Sequence, residues 1–254
     1  MRCSGGRQIG HFEALRKVRL LKNSQLTFFK PRNFSPSFSE GANLEWKGPF
    51  RFIHATDTQF GLIEELTLRA ADRWKEKNRA SSFQLEEVHL AQQAIKEWNE
   101  MTPKPAFVAI TGDLVNDKPK KDLHRGDQLA AFKRTFSKLD PSIPLVLLPG
   151  KRDLLKKPRE ATIEAYRADF GDDYFSFAVG GVLFLALNVQ LNKNPDKVAD
   201  LAAEHDRWLD RQLEEAAKGS SQAYKHIIVL QHIPWFLRDI HEPKEKNVTL
   251  FVKH

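Results

Sequence analysis

Phe107-Val-Ala-Ile-Thr-Gly-Asp-Leu-Val-Asn116 joins an apolar run to a carboxylate and a carboxamide. The run has the length and composition of a buried strand. Gly112 permits a sharp turn, which throws Asp113 out at the carboxyl end, the edge where open α/β sheets bind ligands. A carboxylate there is a metal ligand or a helix cap, and taken alone the two readings weigh about equally. Three further stretches share the pattern. Arg51-Phe-Ile-His-Ala-Thr-Asp57-Thr-Gln59 ends in Asp57 and Gln59, and Pro144-Leu-Val-Leu-Leu-Pro-Gly150-Lys-Arg-Asp153 has Gly150 and Asp153 just past its end. His226-Ile-Ile-Val-Leu-Gln-His232-Ile-Pro234 ends in His232. Four runs that read as buried strands thus bring Asp, Gln or His to one edge, which chance caps would rarely do. Together they read as a scaffold for metal ions.

Each residue also has a plainer role open to it. Asp57 could serve as a turn residue, Gln59 as a satisfied core amide and His232 as a structural histidine. Asn116 fits a helix cap as readily as a substrate contact. His54 and His226 lie within or before strands and read as packing residues. Joint placement favours the metal reading of Asp57, Gln59, Asp113 and His232.

The elements that must position these groups follow from periodicity and punctuation. Strands are expected near 50–56, 106–111, 144–148 and 226–231. Helices are expected near 83–99 (Phe83, Val88, Ala91, Ile95 and Trp98 at helical spacing), 127–138, 160–169 and 198–217. Two β-rich runs around Gly180-Gly181 read as a tight hairpin. Strands alternating with helices imply a mainly parallel sheet, with the hairpin adding an antiparallel part. No internal repeat or low-complexity segment interrupts this order.

The 254 residues suit one domain, or one domain with an appendage. Cys3 is the single cysteine, so a disulfide framework and a Cys-based zinc site are excluded. That suits a reducing compartment, and the expected location is the cytoplasm. The net charge of +7 is localised: residues 1–38 carry eight of the 40 basic residues and one of the 33 acidic ones. Residues 39–254 are therefore balanced, with no electrostatic footprint for nucleic acid. No apolar run reaches the roughly 20 residues that span a bilayer. Residues 1–44 read as a basic, disordered leader; its Arg-rich, acid-poor start resembles a mitochondrial transit peptide, the alternative location. Residues 45–254 read as the folded domain.

At Asp57-x-Gln59, Gly112-Asp113-x-x-Asn116, Gly150-x-x-Asp153 and His232 the sequence resembles the calcineurin-like metallophosphoesterases, more narrowly the calcineurin-like phosphoesterase domain-containing protein 1 group. Glu45-Trp-Lys-Gly-Pro-Phe50, Asp57-Thr-Gln-Phe-Gly61, Gly171-Asp-Asp-Tyr-Phe-Ser-Phe177, Gly180-Gly-Val-Leu-Phe184 and Gln231-His-Ile-Pro234 support it, over about residues 45–240. The resemblance implies a four-layer α/β/β/α sandwich with two divalent ions (Mn, Mg, Fe or Zn) at the strand ends. Two such ions neutralise a phosphate ester and supply a hydroxide nucleophile near neutral pH. By resemblance Asp57 and Gln59 hold the first ion, Asp113 bridges both and His232 holds the second. The implied substrate is a phosphomonoester, plausibly phosphoserine or phosphothreonine in a phosphoprotein.

Two departures matter. The family's Gly-Asn-His-Asp block is here Gly150-Lys151-Arg152-Asp153. By resemblance the Asn ligates the second ion and the His protonates the leaving group or orients phosphate. Lys151 is a degenerate ligand position, since an ammonium has no lone pair to offer. Arg152 holds phosphate bidentately but does not act as a proton donor at ordinary pH, while Asp153 keeps a hydrogen-bonding role in the turn. The family's later Gly-His-x-His block has no match after His232, so the chain reads as truncated, short of its last strands and able to retain at most one ion. Three readings compete: an impaired metal-dependent phosphatase, a non-catalytic phosphate-binding pseudophosphatase, and a truncated product without function. Nucleophilic-serine and P-loop chemistry lack their motifs.

Overall fold

The computed structural model describes residues 48–62, 85–119, 124–217 and 224–234. The leader at 1–44, the expected start of the first helix at Phe83 and the charged stretch after Pro234 lie outside the described residues. The elements are β1 (Ile53–Ala55), α1 (Leu85–Glu100), β2 (Val108–Thr111), α2 (Arg125–Phe136), β3 (Leu145–Leu148), α3 (Lys151–Leu154) and α4 (Glu160–Phe170). They are followed by β4 (Phe175–Val179), β5 (Val182–Leu187), α5 (Val189–Lys193), a 3-10 turn (Pro195–Lys197), α6 (Ala199–Ala217) and β6 (His226–Gln231).

The strands form two three-stranded sheets. The first is parallel throughout, in the order β1-β2-β3; the second has the order β4-β5-β6, with β4-β5 antiparallel and β5-β6 parallel. Val179 pairs with Val182, leaving Gly180 and Gly181 as a two-residue turn with φ of 53° and 76°. Positive φ at both central positions matches the twist of the flanking strands, and glycine takes it without steric cost.

Alternation along each strand sorts the side chains into layers. Phe107, Ala109, Val146 and Leu148 meet Phe175, Phe177, Val182, Phe184, Ala186 and Leu230 in one apolar cluster between the sheets. The rings of Phe107 and Phe184 cross edge-to-face at 4.9 Å, and Phe177 stacks on Phe184 at 5.0 Å. The intervening residues, Val108, Ile110, Leu145, Leu147, Leu183, Leu185 and Leu187, belong to the cluster shared with the helices. Phe60 meets α2 through Phe132 at 5.5 Å on one side of the molecule. On the other, Tyr174 meets Trp208 of α6 at 4.9 Å. Helix, sheet, sheet, helix is the four-layer order expected, and burying a Phe in such a layer contributes about 2–3 kcal/mol.

The structure corrects four expectations. β1 is only half-buried and the outer face of β6 is open, with Ile227 43% and Val229 38% exposed. Both strands lie at sheet edges among the described residues, so a long apolar run did not mean burial on both faces. No helix starts at Asp113 or Asn116: residues 112–117 are irregular chain with one bridge, Phe60 to Val115, which removes the helix-cap reading of both. Finally, α3 and α5 are short helices that their few residues gave no periodicity to reveal. Among the described residues, no helix is long and apolar enough to cross a membrane.

Candidate metal centre

The loop after β1 is fastened along the loop after β2. Asp57 N–H donates to Gly112 O and Gln59 N–H to Asp113 O, both at 3.0 Å. Phe60 N–H donates to Leu114 O at 3.3 Å, and Asn116 N–H returns to Phe60 O at 3.0 Å. Thr58 adds a hydroxyl hydrogen bond to Leu114 O at 2.9 Å. Phe60, 1% exposed, is the anchor that sinks this loop into the core. In this arrangement Asp57, Gln59 and Asp113 all have left-handed backbones, with φ of 56°, 37° and 52°. That region costs a non-glycine residue of order 1 kcal/mol or more and is found where surrounding contacts over-determine the chain. Three such residues coincide here with three of the residues singled out from sequence.

Two glycines let the pieces close up. A Cβ on Gly112 would lie 2.6 Å from His232 Nδ1, and one on Gly150 would lie 2.3 Å from both Asp113 N and Asp113 Oδ1. Gly112 brings the β2 loop against the imidazole, and Gly150 brings the β3 loop against the carboxylate. Leu187 of β5 pairs with Gln231, and His232 follows directly at the carboxyl end of β6.

Ligand atoms of Asp57, Asp113 and His232 come within 4.8 Å of one another, as the sequence led us to expect. His232 Nδ1 lies 2.7 Å from Thr111 O, so Nδ1 carries the proton and donates it. The lone pair is left on Nε2, which stands 3.5 Å from Asp113 Oδ1. A histidine whose far nitrogen is tied to a carbonyl is oriented as metal-binding histidines are. Asp113 Oδ1 also accepts the Arg152 backbone N–H at 2.7 Å. Asp57 is held from both sides, by Thr56 Oγ1 on Oδ2 at 2.6 Å and by Gln59 Nε2 on Oδ1 at 3.0 Å. Gln59 therefore enters through its amide nitrogen, and a ligand role would use the opposite, oxygen end of the amide.

Asp153 is fully buried beneath these loops. Its Oδ2 accepts Gly150 N–H at 2.8 Å, as expected for the turn, while Leu114 N–H points at both oxygens from 3.2 and 3.3 Å. It thereby clamps the β3 loop to the β2 loop. Burial pushes its carboxyl up to about 7; the Asp113 charge adds to this, against the Gly150 and Leu114 N–H groups and Arg125. Lys151 is exposed at the first position of α3, and half-buried Arg152 donates from its guanidinium to Asn116 O at 3.0 Å. Thr56, the Leu114 contact of Asp153 and the His54 Nε2 contact with Thr111 Oγ1 at 2.9 Å were missed from sequence. A threonine next to the first ligand was the one available signal.

Two carboxylates and an oriented imidazole are a fitting donor set for one divalent ion. Among the described residues the donors for a second ion are not assembled in the same way, since the position expected to supply one carries Lys151.

No family-level sequence model matches the chain. It is 42% identical to the human serine/threonine-protein phosphatase CPPED1 over 202 residues, which are 78% of this chain and 60% of that protein. It is 40% identical to the cattle protein of the same name and 39% identical to the mouse one, in each case over 222 residues and 85% of this chain. The chain spans 66% and 67% of those two proteins. A purple acid phosphatase from yellow lupin seeds aligns with 72% of this chain and 30% of its own, with a TM-score of 0.43 and 12% identity. A likeness that distant bears on neither substrate nor site. By its identity to the CPPED1 proteins, the chain belongs to their family of calcineurin-like metallophosphoesterases.

Proposed function

We propose that the chain holds one divalent ion on Asp57, Asp113 and His232 and acts on phosphomonoesters, with turnover weakened by Lys151 and Arg152. The observation that supports this most is the convergence of the three ligand atoms within 4.8 Å. A divalent ion there supplies Lewis acidity toward phosphoryl oxygens and lowers the pKa of water. The remaining work falls to the chain. His232 keeps its lone pair aimed inward through the Thr111 carbonyl, and Thr56 and Gln59 hold the Asp57 carboxylate. The Arg152 backbone amide fixes Asp113. Asp153, fully buried, fixes the loops. Relatives named serine/threonine-protein phosphatases favour phosphoserine or phosphothreonine in proteins as the ester.

The exposed ammonium of Lys151 and the guanidinium of Arg152 favour a second reading, a phosphate-binding domain with little or no turnover. Arg152 carries a guanidinium, a group suited to phosphate but already donating to Asn116 O, and has no proton to lend a leaving group. The single cysteine favours a reducing compartment such as the cytoplasm for either reading.

The deciding measurement is metal content of the purified chain, with p-nitrophenyl phosphate turnover in added Mn or Mg. One ion per chain, lost in Asp113→Asn, with slow turnover is the expected result. One ion with tight phosphate binding and no turnover selects the second reading. Two ions with fast turnover refute the weakening assigned to Lys151 and Arg152.

A further inference from the structure

The Thr111 carbonyl, at the end of β2, has two lone pairs and two side-chain donors within reach. His232 Nδ1 stands at 2.7 Å and Thr56 Oγ1 at 3.1 Å. Thr56 Oγ1 is also 2.6 Å from Asp57 Oδ2, a distance characteristic of a hydroxyl donating to a charged carboxylate. One backbone oxygen thus connects groups brought by β1 and by β6. We propose that Thr56 is a positioning residue for the metal centre, its hydroxyl holding the Asp57 carboxylate toward Asp113 and His232. The inference rests on reading those three residues as an ion site.

The physical need for such a clamp lies in the surroundings of Asp57. Its carboxylate is exposed and sits on a left-handed backbone next to Asp113, which carries the same charge. Without an ion, repulsion and hydration both favour turning the Asp57 side chain out into water. The hydroxyl opposes that rotation. It has one hydrogen and two acceptors, so it donates to Asp57 while the site lacks an ion. A carboxylate oxygen has a second lone pair, so Oδ2 can keep this hydrogen bond and still serve a cation. The role is distinct from that of Thr58, whose hydroxyl goes to Leu114 O and touches no ligand.

The test is Mn(II) binding to the metal-stripped full chain by isothermal titration calorimetry, with thermal melts of the same metal-free samples. Thr56→Val keeps the branched shape and removes the hydroxyl. It is expected to bind Mn(II) about tenfold or more weakly, the usual cost of losing an outer-shell partner, with an unchanged metal-free melt. Thr56→Ser restores the hydroxyl and is expected to bind within about threefold of wild type. Thr56→Val binding as tightly as wild type overturns the proposal alone, as does Thr56→Ser binding as weakly as Thr56→Val. A metal-free melt of Thr56→Val that falls along with affinity also overturns it, because the defect then lies in the loop's fold. A wild-type chain that takes up no Mn(II) overturns the ion-site reading and this inference together.

Discussion

Removing the carboxylate of Asp153 should unfasten the site from below. Asp153→Ala leaves two buried amides, Gly150 N–H and Leu114 N–H, without their acceptor. Each orphaned amide costs about 1–3 kcal/mol, so the loss is about 2–6 kcal/mol. For a chain of this size each kcal/mol moves Tm by roughly 2–4 °C, which makes a drop of roughly 4–24 °C. The assay is circular-dichroism melting of metal-free protein at pH 5.5. A drop under about 2 °C would refute the clamp. The pH dependence gives a second check. Asp153 is raised from an ordinary 3.8 to about 7, so between those values the folded chain holds a proton that the unfolded chain has released. Its contribution is then fully present below about pH 4 and is lost as pH rises through about 7, at about 1.4 kcal/mol per unit. The stability of wild type relative to Asp153→Asn, which never ionises, should fall by about 2 kcal/mol from pH 5 to pH 7. A gap that stays constant would mean that Asp153 is ionised throughout.

Gly150→Ala places a Cβ 2.3 Å from Asp113 N and Oδ1, and neither backbone can yield so far. Mn(II) affinity by calorimetry should fall at least about tenfold; near-wild-type affinity would show that the β3 loop does not set Asp113. His205 is 1% exposed, edge-on to Tyr174 at 4.8 Å, and burial holds its ring below the ordinary 6.5 against the pull of Asp206 and Asp173. The unfolded chain takes the proton first as pH falls below 6.5, so stability is lost on the acid side. Urea midpoints should show His205→Phe gaining stability relative to wild type as pH falls from 7.5 to 5.5, and an unchanged difference between the two proteins would remove His205 from the acid response.

The parts legible in sequence were those written in composition. Phe107–Thr111 and Pro144–Leu148 are continuous apolar runs, and they became β2 and the fully buried β3 and their flanks. Gly180-Gly181 announced a turn that needs positive φ twice, and the turn has it. Asp57, Asp113 and His232 were legible as a group because each comes just past the end of an apolar run. What stayed hidden depends on partners distant in the chain. His226–Gln231 reads like a core strand, but whether Ile227 and Val229 are covered depends on neighbours, not on the run itself. The left-handed backbones of Asp57, Gln59 and Asp113 carry no glycine to advertise them. Asp153 was read as closing its own turn, and nothing local pointed to Leu114, 39 positions away. Arg152 drew notice for its guanidinium, whereas its backbone N–H makes the contact with Asp113.

The hydrogen bond from His232 to Thr111 joins residues 121 positions apart. Contacts of that separation are the slow ones in folding, because the chain must close a long loop before any contact rewards it. The parallel register of β6 on β5 must also form before His232 reaches the site. An ion added during refolding is therefore expected to be taken up late, after circular dichroism has recovered the helices, and uptake in step with early helix formation would contradict this. Under this ordering the ion is no nucleus for the fold. It is a seal, stabilising only chains that have already finished folding.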